Sequence, residues 1–166
     1  MLLQMLREQE EHVGLLLAAI RRRIRQVVQA KAEGHRLSPQ QFWTLIGIEE
    51  GAPLSLRALA ERQRIDQPTA SRVVASLTRR RLVRMAEDPA DRRRLMIETT
   101  AEGAELAARV RPIARDVRSA IVAGFSPAEL GALRGSLRRI LENLDRFEAR
   151  GTRRPARPAS AREERP

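Results

Sequence analysis

Ile65-Asp66-Gln67-Pro68-Thr69-Ala70-Ser71-Arg72-Val73-Val74-Ala75-Ser76-Leu77-Thr78-Arg79-Arg80 reads as a short amphipathic helix with a polar, basic face. Asp66 is placed to cap its first N–H groups, and Pro68 falls in the first turn, where a missing N–H costs nothing. The apolar positions Ala70, Val73, Val74 and Leu77 recur at i, i+3, i+4 and i+7, so they share one face. The outward positions are then Gln67, Pro68, Ser71, Arg72, Ala75 and Arg79. A free-standing helix of this length fits the major groove, where its first turn meets base edges. Gln67 suits adenine, Arg72 suits guanine or a phosphate, and Thr69 and Ser71 are small enough for close approach. A merely solvated helix face is the plain alternative. Basic runs at 57–64, 79–84 and 92–94 argue against it.

On the N-terminal side, Ser38-Pro39-Gln40-Gln41 combines a capping serine, a proline at the first helical position and a glutamine that completes a capping box. The helix it starts carries Phe42, Leu45, Ile46 and Ile48 and should stop near Gly51-Ala52-Pro53. A second short helix follows with Ser55 as cap. Downstream, Leu82–Ala86 and Leu95–Thr99 form two extended runs around the charged, turn-rich segment 87–94, which predicts a β-hairpin with a long tip. Thr99 or Thr100 then caps a helix to about Ala123, bent at Pro112; with Thr99 as cap, Glu102 would complete a box. Ser126-Pro127-Ala128-Glu129 starts a last helix, to about Ala149, bearing Leu130, Leu133, Leu137, Ile140, Leu141 and Leu144. At the other end, apolar residues at 13, 16, 17, 20, 24, 27 and 28 predict one long helix from about Leu3 to Ala32, ended by Gly34. A helix of ~30 residues is ~45 Å long, more than a domain of this size can cover, so a second chain is expected against it.

Composition supports this reading. The chain has 166 residues, no Cys, 42% hydrophobic and only 2% aromatic residues (Phe42, Trp43, Phe125 and Phe147), so its core is built from Leu, Ala, Val and Ile. Lack of Cys excludes disulfides, thiolate metal sites and thiol switches. The longest apolar stretch, Leu15–Ile20, is too short to span a bilayer, and Arg21-Arg22-Arg23 follows it at the wrong end for a signal peptide; a cytoplasmic location without membrane association is expected. Net charge is +11, nearly all from arginine, with Lys31 the sole lysine. The largest local surplus lies between 55 and 99, which points to a polyanionic partner. With two histidines, no Gly-rich phosphate loop and no clustered ligand set, an enzyme, a metal centre and a cofactor are not expected.

Three short helices followed by an arginine-tipped hairpin make a winged helix-turn-helix. In order, Ser38–Phe42, Leu54–Arg62, Ile65–Val74, Leu82-Val83 and Asp88-Pro89-Ala90-Asp91-Arg92-Arg93, with Thr100 and Gly103 after them, resemble the MarR family of bacterial transcription regulators, from about Ser38 to Gly103. The expected fold class is therefore mainly α: a winged helix-turn-helix with long N- and C-terminal dimerisation helices and one small β-hairpin wing. The expected segments are a dimerisation helix (1–36), the DNA-binding region (37–100), C-terminal dimerisation helices (101–150) and a disordered basic tail (151–166). The resemblance implies a homodimer that sets two recognition helices in successive major grooves of a pseudo-palindromic operator, as a repressor. Expected DNA contacts are Gln67, Pro68, Thr69, Ser71, Arg72 and Arg79 on the helix and Arg92, Arg93 and Arg94 on the wing, with Asp91 placed to orient Arg93. Family members usually have Gly at the positions of Arg64 and Arg81, and Leu at that of Thr99, a change expected to loosen the wing. Basic or polar residues are common where Ala75 and Ser76 stand. Many members release DNA on binding a small aromatic or anionic effector, and such a site is expected near His35, Arg36, Trp43 and Met96. Two rival readings are a non-specific DNA-compacting protein and, from the basic amphipathic segment Leu15–Arg25, a membrane-surface protein.

Overall fold

Local capping sets most of the helix starts in the computed structural model, which describes residues 12–88, 91 and 94–151. Helix α1 spans Val13–Ala32. His12 is extended (φ −63°, ψ 116°) and its ring accepts a hydrogen bond from the Gly14 N–H, so the helix starts here and does not run unbroken from Leu3. Residues 1–11, and with them the first part of that expected helix, lie outside the described residues. The exit differs too: a 3-10 turn at Glu33–His35 follows, and the left-handed residue is Arg36 (φ 54°), not Gly34. The Arg36 carbonyl accepts from the Arg80 guanidinium at 2.8 Å.

Helix α2 (Pro39–Glu49) has the expected capping box: the Ser38 hydroxyl accepts from Gln41 N–H, and the Gln41 side chain accepts from Ser38 N–H. Ser55 and Asp66 cap helices α3 (Leu56–Gln63) and α4 (Gln67–Arg79). The hairpin consists of β2 (Val83–Glu87) and β3 (Leu95–Thr99), antiparallel with Val83 opposite Thr99 and Met85 opposite Ile97. A third strand, β1 (Leu54–Ser55), pairs with the other edge of β3 and gives the order β1-β3-β2. Two residues are too few for an alternation pattern, so β1 was not legible beforehand.

Helix α5 spans Ala101–Val122 and continues through Pro112. Its cap is Thr100, whose hydroxyl accepts from Gly103 N–H and donates to the Arg81 carbonyl. Thr99 is instead the last residue of β3. At Gly103 a side chain would force the backbone apart, because a Cβ would lie far inside van der Waals contact with the Leu82 carbonyl. That contact seats α5 against the base of the wing.

One core joins these elements: Val28 and Ala32 of α1, Phe42, Leu45, Ile46 and Ile48 of α2, Leu59 of α3, Val74 and Leu77 of α4, Ile97 of β3, and Leu106, Val110 and Val117 of α5. Up to Ile121 the described residues form one compact unit, so α5 packs with the reading head. Helix α6 (Pro127–Gly151) belongs to a second unit beginning at Val122. It starts with the expected box at Ser126 and Glu129, and the Ser126 N–H and hydroxyl hold the Glu129 carboxyl below its ordinary pKa. Residues 152–166, nearly the whole of the expected basic tail, lie outside the described residues. Among the described residues no helix is long and apolar enough to cross a membrane.

Candidate nucleic-acid interface

The helix-turn-helix is α3, the turn at Arg64 and α4. Ala70, Val74 and Leu77 are buried and Val73 partly so, which turns Gln67, Pro68, Ser71, Arg72, Ala75 and Arg79 outward, all exposed. Asp66 Oδ1 accepts from the Thr69 N–H at 2.7 Å and Oδ2 from the Thr69 hydroxyl at 2.9 Å. These bonds, the backbone one first, lower the Asp66 pKa and keep the cap ionised. The Thr69 hydroxyl in turn accepts from Arg72 Nη2 at 3.0 Å. Thr69 is thus half-buried, and its hydroxyl is hydrogen-bonded to both Asp66 and Arg72. Ser76 is also structural: its hydroxyl accepts from Gln41 Nε2 at 2.8 Å, tying α4 to α2.

Both sharp turns keep the left-handed geometry although glycine is missing: φ is 53° at Arg64 and 57° at Arg81. A non-Gly residue there costs on the order of 1 kcal/mol. At Arg81 the Thr100 hydroxyl, bonded to the Arg81 carbonyl, helps hold the turn.

The wing begins and ends in tied backbone. Asp88 N–H donates to the Arg94 carbonyl at 2.9 Å, and Arg94 N–H donates to the Asp91 carbonyl at 2.8 Å. Arg84 and Glu98 pair across β2 and β3 at 2.6 Å. Thr99 does not loosen the strand; its hydroxyl donates to Glu49 Oε2 at 2.9 Å and fastens the wing base to α2. Asp91 and Arg94 are exposed at the tip, whereas Arg92 and Arg93 lie outside the described residues.

The four residues expected around an effector lie on three different elements. His35 and Arg36 sit in the turn after α1, and Met96 lies on β3 opposite Ser55 and Ala86. Only Trp43 lines the large cleft of about 780 Å³ between α1, α2, α3 and α5. Its walls carry Leu17, Ile20, Ile24 and Ile65 together with Arg21, Arg25, Arg62, Arg64, Arg118 and a single carboxylate, Glu50. The Arg118 guanidinium lies 5.5 Å over the Trp43 ring and makes a two-pronged pair with Glu50 at 2.6 and 3.0 Å. That hydrogen bonding lowers the Glu50 pKa and raises that of Arg118. Beside the cleft, Gln63 bridges helices: it accepts from the buried Thr44 hydroxyl and donates to the Trp43 carbonyl across Gly47. These cross-helix partners are 19 to 75 residues apart and carry no local sequence signal.

Comparison with known proteins agrees with this geometry. The model of the MarR family matches residues 36–94. The HTH-type transcriptional repressor NicR of Pseudomonas putida is 31% identical over 133 residues, covering 80% of this chain and 84% of its own. Among solved structures, BpsR of Bordetella bronchiseptica, described for regulation of its DNA binding by 6-hydroxynicotinic acid, is 30% identical. It covers 78% of this chain and 93% of its own at a TM-score of 0.66. The S. aureus MepR–DNA complex shares the fold at 23% identity and a TM-score of 0.68, over 81% of this chain and 99% of that one.

Proposed function

Because this chain belongs to the MarR family of transcription regulators, we propose that it acts in the cytoplasm as a homodimeric repressor on a pseudo-palindromic operator. The observation that carries this reading is α4: a capped helix buried on one side and lined on the other by Gln67, Ser71, Arg72 and Arg79. Gln67 and Arg72 read bases, Pro68 and Ser71 allow close approach, Thr69 steers Arg72, and Arg79 with Arg94 neutralises phosphate. Arg92 and Arg93 enter the minor groove, where a cation on a thin projection is favoured. The exposed leucines of α6, Leu133, Leu137, Leu141 and Leu144, supply the dimer contact.

The test is a salt titration on a duplex selected by the protein from a random library, beside an unselected duplex. Tighter binding to the selected duplex, with steeper salt dependence on the unselected one, is the expected result. Equal affinity for both would favour DNA compaction, and vesicle binding without duplex binding would favour a membrane surface. Arg93→Ala should weaken operator binding by about 1–3 kcal/mol while the dimer persists; loss of the dimer would make Arg93 a structural residue.

The cleft beside Trp43 suits a small aromatic carboxylate, since it joins an indole and aliphatic walls to an excess of arginines. Similarity to BpsR makes 6-hydroxynicotinic acid the first probe. Trp43 is the sole tryptophan, so its emission reports occupation directly. Quenching together with release of the duplex is expected; unchanged emission and an intact complex at millimolar probe would contradict this site.

A further inference from the structure

Helix α2 ends in two adjacent carboxylates, Glu49 and Glu50. A carboxylate at a helix C-terminus opposes the helix dipole and destabilises that helix in isolation. Here both are engaged across the fold. Glu49 accepts from the Thr99 hydroxyl of β3 at 2.9 Å and from Arg111 of α5 at 3.2 Å. Glu50 accepts two hydrogen bonds from Arg118 of α5 and lies 3.8 Å from Arg62 of α3. Arg111 and Arg118 are seven residues apart, two turns along the same face of α5. One dipeptide therefore ties α5 at two points and, through its other contacts, the base of the wing and the first helix of the helix-turn-helix.

The apolar core holds these elements together, but apolar contact is non-directional. A two-pronged guanidinium–carboxylate pair is directional and fixes orientation as well as distance. Stacking of Arg118 over Trp43 limits its freedom further. We infer that Glu49 and Glu50 are positioning residues: with Arg111 and Arg118 they hold the wing and α3 at a set angle to α5, and so set the half-site spacing a dimer accepts. This rests on the dimeric, two-half-site reading above.

The experiment uses the full chain and the duplex it selects, plus duplexes with the half-sites moved by one and two base pairs in each direction. Each step rotates one half-site by about 34°. The wild type should lose at least tenfold in affinity at one step. The Glu49→Gln/Glu50→Gln variant should bind the parent duplex three- to tenfold more weakly, yet vary less than threefold across the series, with unchanged sedimentation. Arg118→Gln should flatten the profile in the same way and add little when combined with Glu50→Gln, because both remove one contact. A variant that keeps the wild-type spacing profile overturns the inference. So does a uniform loss at every spacing that tracks a fall in thermal stability, which would make the pair a fold-stabilising contact only. A wild type indifferent to spacing would overturn the two-half-site reading itself, and the inference with it; a sharp wild-type profile left unchanged in the variants sinks the inference alone.

Discussion

Helices α4 and α6 carry the same apolar rhythm and meet opposite fates. In α4, Ala70, Val74 and Leu77 are 0–3% exposed, sealed against α2, α3 and the wing. In α6, Leu133, Leu137, Leu141 and Leu144 are 37–58% exposed and Phe147 is 78% exposed. A leucine row at this spacing is not a solvent-facing design, since leaving each side chain in water forfeits roughly 1.5–3 kcal/mol of burial. The difference separates a face completed within one chain from one left open. The reading head is finished by its own core; on the function proposed above, α6 is finished by association with a second chain.

Breaking α6 should have the largest effect on function. Leu137→Arg with Leu141→Arg should convert dimer to monomer by sedimentation and lower operator affinity by roughly 10²–10⁴-fold, the loss of two-point attachment. The melting of the reading head should barely change. Unchanged dimer and affinity would place the contact elsewhere. The mirror substitution in α4, Leu77→Ala, should cost about 2–5 kcal/mol of folding stability in denaturant titration; a negligible cost would mean the α4 face is not sealed.

These two faces also mark how far the sequence could be read. Ser38, Ser55, Asp66 and Ser126 announce their helices because a cap acts within three residues. The polar face of α4 was legible for the same reason. What escaped lies across the chain. Thr99 meets Glu49, and Arg118 meets Glu50 and Trp43, through tertiary folding alone. The cleft is assembled from four helices, so His35, Arg36 and Met96 were plausible neighbours of Trp43 on paper and are not cleft residues in space. His12 stands immediately before the apolar rhythm that begins at Val13, and its ring caps α1, but histidine is not among the residues a capping reading looks for.

Smaller effects sharpen the contrast. Arg72→Ala changes only the outer face of α4: about 1–3 kcal/mol of operator affinity and a relaxed preference at one position per half-site, with dimer and stability intact. An unchanged preference would assign Arg72 to phosphate. Arg81→Gly should raise folding stability by roughly 0.5–1 kcal/mol by relieving a left-handed turn, and a loss would mean that side chain holds more than the turn. Smallest is acid. The Glu50 pKa is depressed in the folded state, chiefly by its hydrogen bonds to Arg118. Its contribution is therefore present above the ordinary glutamate value and lost as pH falls through the lowered one. For a half-exposed pair, solvent screening leaves this at a few tenths of a kcal/mol. It should appear as a pH-dependent stability difference between wild type and Glu50→Gln that shrinks as the pH falls from the ordinary glutamate value through the lowered one; a difference independent of pH would remove the ion pair from the account.

The most direct test of the central claim is the mass of the protein–DNA complex in the analytical ultracentrifuge, with the selected duplex at physiological salt. Two chains alone and two chains on one duplex are the expected result. A folded single chain at micromolar concentration, bound one to a duplex or not at all, would contradict it.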